Sequence, residues 1–196
     1  LKSKNFKIIT DVHNLYELDF KLFDFIDVIQ IPAYLCMQTE LTTKAAEKGK
    51  SINLKKGQFL SPNDVEKIVL KIKSTGNNNI TITERGTCFG YRDLMVDPRS
   101  FFILKKLNYP VFFDVGHSVR KNGFPSSNIK DGGQKEFGET YARSAISNFV
   151  DGLFIEVHPD PKNAKCDAAT QFSFSEFENL MNNVKPLWDF VNSDKI

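Results

Sequence analysis

Six short runs rich in Ile, Val, Phe and Thr recur along this chain, each separated from the next by a longer stretch. They are Phe6–Val12, Asp27–Pro32, Ser51–Lys55, Asn79–Glu84, Pro110–Val115 and Gly152–Val157. Most are apolar at successive positions, the pattern of strands in a parallel sheet covered on both faces. Helical signals lie between them. Ser61-Pro62-Asn63-Asp64 places an N-cap Ser and a first-turn Pro before Ile68, Val69, Leu70 and Ile72, with Gly76 as a stop. Asp97-Pro98 opens a second helix through Phe101, Phe102 and Leu104. Ser173 or Ser175 caps a third that buries Phe177, Leu180, Met181, Val184 and Leu187, and Pro186 should kink or end it.

Repeated strand–helix units mean an α/β fold, either a doubly wound sheet or a (β/α)8 barrel. A barrel needs eight units and typically about 250 residues, so about six of the eight would be present in 196 residues. The chain opens at Leu1 on a strand approach and reads as a fragment lacking the N-terminal strands, with residues 1–196 forming one catalytic domain.

Charge and cysteine content exclude several classes. Basic and acidic residues number 26 and 24, giving a formal charge of +2 with no long Lys/Arg run. No nucleic-acid surface is indicated. The cysteines, Cys36, Cys88 and Cys166, are widely spaced and form no CxxC pair, which argues against a zinc ribbon or disulfide framework and for a reducing, cytoplasmic setting. No apolar run approaches the roughly 18 residues that span a bilayer, so no membrane partner is expected.

All three histidines fall at or just past a strand end, in Thr10-Asp-Val-His13, Asp114-Val-Gly-His117 and Glu156-Val-His158. Lys55, Glu84-Arg85 and Asp114 end strands too. The C-terminal strand ends of a barrel form one face, where catalytic groups collect. Such a set suits either a metal or an anion. A Lys and an Arg from neighbouring strands can hold a phosphate, the Arg bidentately and the Lys as a point charge. His117, Glu156 and Asp167 offer N and O ligands for a divalent ion. Bland readings stand beside these. Asp-x-His can be a turn, Lys55-Lys56 a solvated strand end before Gly57, Glu84-Arg85-Gly86 a surface salt bridge with a turn, and Asp114 a cap.

At these residues the sequence resembles the 3-deoxy-D-manno-octulosonate 8-phosphate synthases, also called the 2-dehydro-3-deoxyphosphooctonate aldolase family. The resemblance runs through Thr10–His13, Val28–Ala33, Asn53–Phe59, Thr83–Tyr91, Phe113–His117, Gly132-Gly133 with Glu136-Phe137, Phe154–Pro159 and Lys165–Asp167. It implies a (β/α)8 TIM barrel that condenses phosphoenolpyruvate with arabinose 5-phosphate in lipopolysaccharide (Kdo) biosynthesis, working as a cytoplasmic homotetramer. On that resemblance Lys55 and Arg85 hold the phosphoenolpyruvate phosphate with help from the Ala33 backbone. His117 lies beside that phosphate and the attacking water, while Asp11, His13 and Gln30 line the pocket floor. Glu156 and Asp167 join this set.

The family has metal-dependent and metal-independent branches. In the former a divalent ion is bound by residues matching His117, Glu156 and Asp167, plus a first-strand Cys. That strand is absent here, and Cys166–Gln171 mixes features of both branches, so no cofactor is assigned beyond a divalent metal in one branch. Three departures fall on the sugar side: Met37 for Arg, Arg120 for Gln and Asp131 for Ser. Arg120 could compensate for Met37. The fragment alone is expected to be inactive. Two other readings compete, a phosphoenolpyruvate synthase with another acceptor (heptulosonate or sialic acid type) and a truncated barrel that only binds. The segment Ser118 to Gln134 is expected to form a mobile lid.

Overall fold

The computed structural model describes residues 2–91, 93–121, 123–124 and 131–193. The chain divides into two compact units, Leu1–Thr83 with Ile103–Pro110, and Glu84–Phe102 with Val111–Ile196.

The first unit holds four parallel strands, β1 (Ile9–Asp11), β2 (Val28–Ile31), β3 (Ser51–Lys55) and β4 (Ile80–Glu84), whose last residue, Glu84, opens the second unit. Their register pairs Asp11 with Gln30, Gln30 with Asn53 and Asn53 with Thr81. Side chains alternate across a strand, so the sheet sorts its chemistry by face. Ile29, Ile31, Ile52, Leu54, Ile80 and Ile82 are buried on one side. Asp11, Gln30, Asn53, Lys55, Thr81 and Thr83 occupy the other.

Two helices follow β2 and β3. In α1 (Thr39–Glu47) the buried positions are Leu41, Thr42, Ala45 and Ala46, and in α2 (Val65–Lys73) they are Val65, Ile68, Val69 and Ile72. The spacing of each set is that of one helix face. The chain leaves α2 through Gly76 at φ +87°, a left-handed conformation that costs glycine little. Ser61 does not cap α2 as expected. Residues Pro62–Asp64 form a 3-10 turn first, and the Ser61 hydroxyl donates to Asp64 Oδ2 (2.9 Å) instead of receiving a backbone N–H.

In the second unit, β5 (Thr87–Gly90) and β6 (Asp93–Met95) pair antiparallel. Helix α3 (Pro98–Lys105), whose residues from Ile103 on belong to the first unit, starts where Asp97-Pro98 predicts, buries Phe101 and Leu104, and leaves Phe102 exposed. Strands β7 (Val111–Asp114) and β8 (Gly152–Phe154) pair in parallel, and Phe101 meets Phe113 edge-to-face at 5.7 Å. Between these strands lie α4 (Val115–Ser118) and α5 (Gly138–Ser147), and α6 (Phe174–Val191) follows β8 and packs on α5.

Ser173 caps α6 in a full capping box with Glu176. The helix does not end at Pro186, as one sequence reading had it, but continues to Val191. Proline removes a donor to the carbonyl four residues back, and here that residue, Asn182, is exposed, where water can replace the bond. Leu180 and Val184 are buried, whereas Phe177, Met181 and Leu187 are only half-buried.

All six strands expected from the sequence are present, with helices between them, and the fold class is that of a (β/α)8 TIM barrel with six of its βα units. Of the expected lid, residues 122 and 125–130 lie outside the described residues. Its base is ordered: the Lys121 N–H donates to the Gly132 carbonyl (3.0 Å) and the Gln134 N–H to that of Val119 (2.8 Å).

Candidate active site

In the second unit, β7 ends in a buried Asp114 that turns the chain into α4. Its Oδ1 accepts the backbone N–H of His117 at 2.9 Å, a helix cap. Its Oδ2 stands 2.9 Å from His117 Nδ1. The carboxylate thus favours the proton on Nδ1, leaving Nε2 as the lone-pair nitrogen. That nitrogen points to two further carboxylates, Glu156 Oε1 at 3.9 Å and Asp167 Oδ2 at 3.8 Å.

The ligand atoms of His117, Glu156 and Asp167 all lie within 4.8 Å of one another, and this is the one group of potential metal ligands among the described residues. One imidazole lone pair and two carboxylates, with a third carboxylate behind the imidazole, form a donor set suited to a divalent ion. The residues present fit such an ion. A histidine and two carboxylates in contact can equally hold and pass a proton.

Asp167 owes its position to a strained turn. Its φ is +49°, in the left-handed region where Asp is among the few tolerated residues. Its carbonyl accepts the N–H groups of Thr170 (2.9 Å) and Gln171 (3.0 Å), while Gln171 Nε2 donates to the Cys166 carbonyl (3.0 Å). Gly133 lies against this turn so closely that a Cβ there would meet Ala169 O at 2.7 Å. Arg120, on the strand-like segment beside Gly133, brings Nη1 to 3.3 Å from Asp167 Oδ1.

The Glu84-Arg85-Gly86 segment is not the surface salt bridge that one sequence reading allowed. Glu84 and Arg85 are both buried. Glu84 Oε1 accepts the N–H groups of Arg85 (2.8 Å) and Gly86 (2.6 Å), fixing the turn, with Gly86 at φ +88°. The Arg85 guanidinium reaches back to donate from Nη2 to the His117 carbonyl (3.3 Å).

The first unit carries a different constellation. A row of side-chain hydrogen bonds crosses all four strands. The Thr83 hydroxyl donates to Asn53 Oδ1 (2.7 Å), Asn53 Nδ2 to Gln30 Oε1 (2.8 Å), and Gln30 Nε2 to Asp11 Oδ1. Lys55, two residues beyond Asn53 on the same face, is buried, so it is not a solvated strand end. Lys56 is fully buried on the other side and donates to the carbonyls of Gly57 and Leu60, both at 3.3 Å. The Gly57 backbone packs against the protein itself, since a Cβ there would meet Ala33 O and Cys36 Sγ at 3.1 Å.

His13 stands apart from Asp11 and Gln30. Its side chain is 63% exposed, its ring lies 3.8 Å from Glu17 Oε2, and its N–H donates to the same carboxylate (2.7 Å). Met37 is exposed. Sequence reasoning singled out neither Asn53 nor Thr83. Their signal was there as polar residues spaced by two, Asn53/Lys55 and Thr81/Thr83, inside otherwise apolar runs.

Comparison with known proteins identifies the family. The profile of the DAHP synthetase I family matches residues 2–190. The 2-dehydro-3-deoxyphosphooctonate aldolase of Geotalea uraniireducens (strain Rf4) is 44% identical over 180 residues, covering 92% of this chain and 65% of that protein. Its namesakes from Geobacter sp. (strain M21) and Trichlorobacter lovleyi are 44% and 42% identical, each with 67% of its length covered. The chain thus spans about two thirds of the length of the curated relatives it matches. It belongs to the DAHP synthetase I family, and within it groups with the 2-dehydro-3-deoxyphosphooctonate aldolases.

Proposed function

We propose that the protein condenses phosphoenolpyruvate with arabinose 5-phosphate to give 3-deoxy-D-manno-octulosonate 8-phosphate and inorganic phosphate, in the cytoplasm as a homotetramer. The observation that carries the reading is the convergence of His117, Glu156 and Asp167, with Asp114 fixing the imidazole from behind. The names of the relatives support the octonate product over a heptulosonate or sialic acid type.

In the proposed reaction C3 of phosphoenolpyruvate bonds to the aldehyde carbon, whose oxygen takes up a proton. Water adds at C2, the C2–O bond to phosphate breaks, and C2 becomes the ketone. Positive charge that develops at C2 is favoured by nearby carboxylates, and the departing phosphate by fixed cations. Lys55 and Arg85 are assigned to the phosphate, with the Ala33 backbone. Asp11 and Gln30 are assigned to the substrate-facing polar row, and His13, which stands outside that row, to the same pocket. His117 accepts or delivers a proton at Nε2, and Glu156 and Asp167 orient the water. A divalent ion held by His117, Glu156 and Asp167 would supply Lewis acidity at the same place.

The test is phosphate release by the full-length protein with phosphoenolpyruvate and either arabinose 5-phosphate or erythrose 4-phosphate, before and after chelation. Preference for arabinose 5-phosphate is expected, and preference for the four-carbon sugar would overturn the assignment. Loss of turnover in Lys55→Ala and in Arg85→Ala, with folding intact, is expected for the phosphate role. Unchanged rates in either variant would remove that residue from it.

A further inference from the structure

Asp167 is shared. One of its oxygens, Oδ2, faces His117 Nε2 at 3.8 Å, and the other, Oδ1, faces the Arg120 guanidinium at 3.3 Å. Asp167 and Arg120 are both largely buried, with side chains 14% and 21% exposed, so water screens their attraction only in part. The carboxylate has little freedom to leave this arrangement, because the turn that carries it is fixed by two hydrogen bonds to its own carbonyl and packed against Gly133.

We propose that Arg120 is a built-in cation that satisfies Asp167 and lowers the affinity of the His117–Glu156–Asp167 cluster for a divalent ion. The inference rests on reading that cluster as the cation site. A guanidinium cannot lose its proton at working pH, so its charge is always present. It neutralises one of the two carboxylates on which a divalent ion would depend, and it repels the ion directly. The site is therefore charge-compensated without metal, and metal entry must work against Arg120.

Arg120 could instead act as an orienting partner that holds Asp167 ready for a metal. Asp167 does not need that help, since its turn is already fixed by backbone hydrogen bonds, so the charge effect is the one that remains. The two roles have opposite signs in a binding measurement.

The experiment is calorimetric titration of the metal-stripped full-length protein with cobalt(II) chloride, comparing wild type, Arg120→Gln, Arg120→Lys and Arg120→Gln with Asp167→Asn, each checked for folding by circular dichroism. Arg120→Gln is expected to bind cobalt at least about tenfold more tightly than wild type, a gain of about 1.4 kcal/mol. Arg120→Lys, which keeps the charge, should stay close to wild type, and the double variant should lose the gain. Equal or weaker binding by Arg120→Gln relative to a wild type that does bind would overturn the role of Arg120 while leaving the cation site standing. Failure of Arg120→Gln to bind cobalt at all would overturn both. Equal tightening in Arg120→Lys would show that packing, not charge, is responsible, and would also overturn it.

Discussion

His117 and Asp114 meet twice: the backbone N–H of His117 donates to Oδ1 at 2.9 Å, and its ring Nδ1 stands 2.9 Å from Oδ2. One carboxylate thus caps the chain as it leaves β7 and stands beside the ring nitrogen, where its charge would favour a proton on Nδ1. Asp114→Asn separates these tasks. The amide oxygen can still accept the His117 N–H, but the amide nitrogen is a donor and disfavours a proton on Nδ1. Activity is expected to fall by about 10–100-fold with little loss of stability. Nitrogen NMR of the imidazole should show the proton moved to Nε2, and an unchanged tautomer would refute the assignment.

The polar row of the first unit should behave as a unit in stability measurements. Asn53→Leu removes the acceptor of the Thr83 hydroxyl and the donor to Gln30, both buried. A loss of about 1–3 kcal/mol per stranded group is expected in urea denaturation. Adding Thr83→Val to Asn53→Leu should cost less than the sum of the single changes, because the orphaned hydroxyl goes with it.

Helix capping gives a paired test. Ser173→Ala breaks a formed capping box and should cost about 1 kcal/mol, whereas Ser61→Ala removes no cap bond and should be within about 0.5 kcal/mol of wild type. The Glu176 half of the box depends on pH. Desolvation acts to raise the Glu176 carboxyl, but hydrogen bonds from Lys135 and the Ser173 backbone outweigh it and hold the group below its ordinary value. A lowered folded value means that the contribution is complete above the unfolded pKa of about 4.3. It is lost as pH falls from there through the folded value. Thermal melts of wild type and Glu176→Gln should therefore converge in acid.

Gly133→Ala should damage the site without touching a catalytic atom. The added methyl would lie 2.7 Å from Ala169 O and Thr170 Cγ2, so the turn bearing Asp167 must shift. A destabilisation of about 1–3 kcal/mol and a fall in turnover are expected together. Wild-type turnover at wild-type stability would show that this contact does not position Asp167.

The cysteines differ in reactivity for a physical reason. Burial pushes the Cys36 thiol up, so its thiolate is scarce, while Cys166 is exposed. Titration with a thiol reagent should modify Cys166 in the native protein and Cys36 only after denaturation. Early modification of Cys36 would contradict its burial.

Strands were the most legible part of the fold, because short runs rich in β-branched and aromatic residues mark them even where one face is polar. Helices α2, α3 and α6 showed through large apolar residues at helical spacing and through their caps. Helices α1 and α5 did not, because Ala45, Ala46, Ala142 and Ala145 make close contacts with side chains too small to mark a hydrophobic stripe. The hairpin β5–β6 was missed because a non-glycine residue, Tyr91 at φ +48°, lies in its turn. At the site, strand ends pointed to His117, and the residue types marked Glu156 and Asp167 as candidate ligands beside it, although their long-range spacing carried no signal of its own. The Arg120 contact with Asp167 was invisible, since it joins residues 47 positions apart through a turn that no glycine announces.

The row from Thr83 to Asp11 also acts on how the sheet is aligned. Sliding one strand by two residues keeps every isoleucine on its own face, so greasy contacts alone would barely object. It would, however, place Gln30 opposite Ser51 or Lys55 and leave its amide without its partner. The amides therefore encode alignment where the aliphatic side chains encode only sidedness. Changes along the row are tied together for the same reason, and a neutral replacement at one member should require a matching replacement at its neighbour.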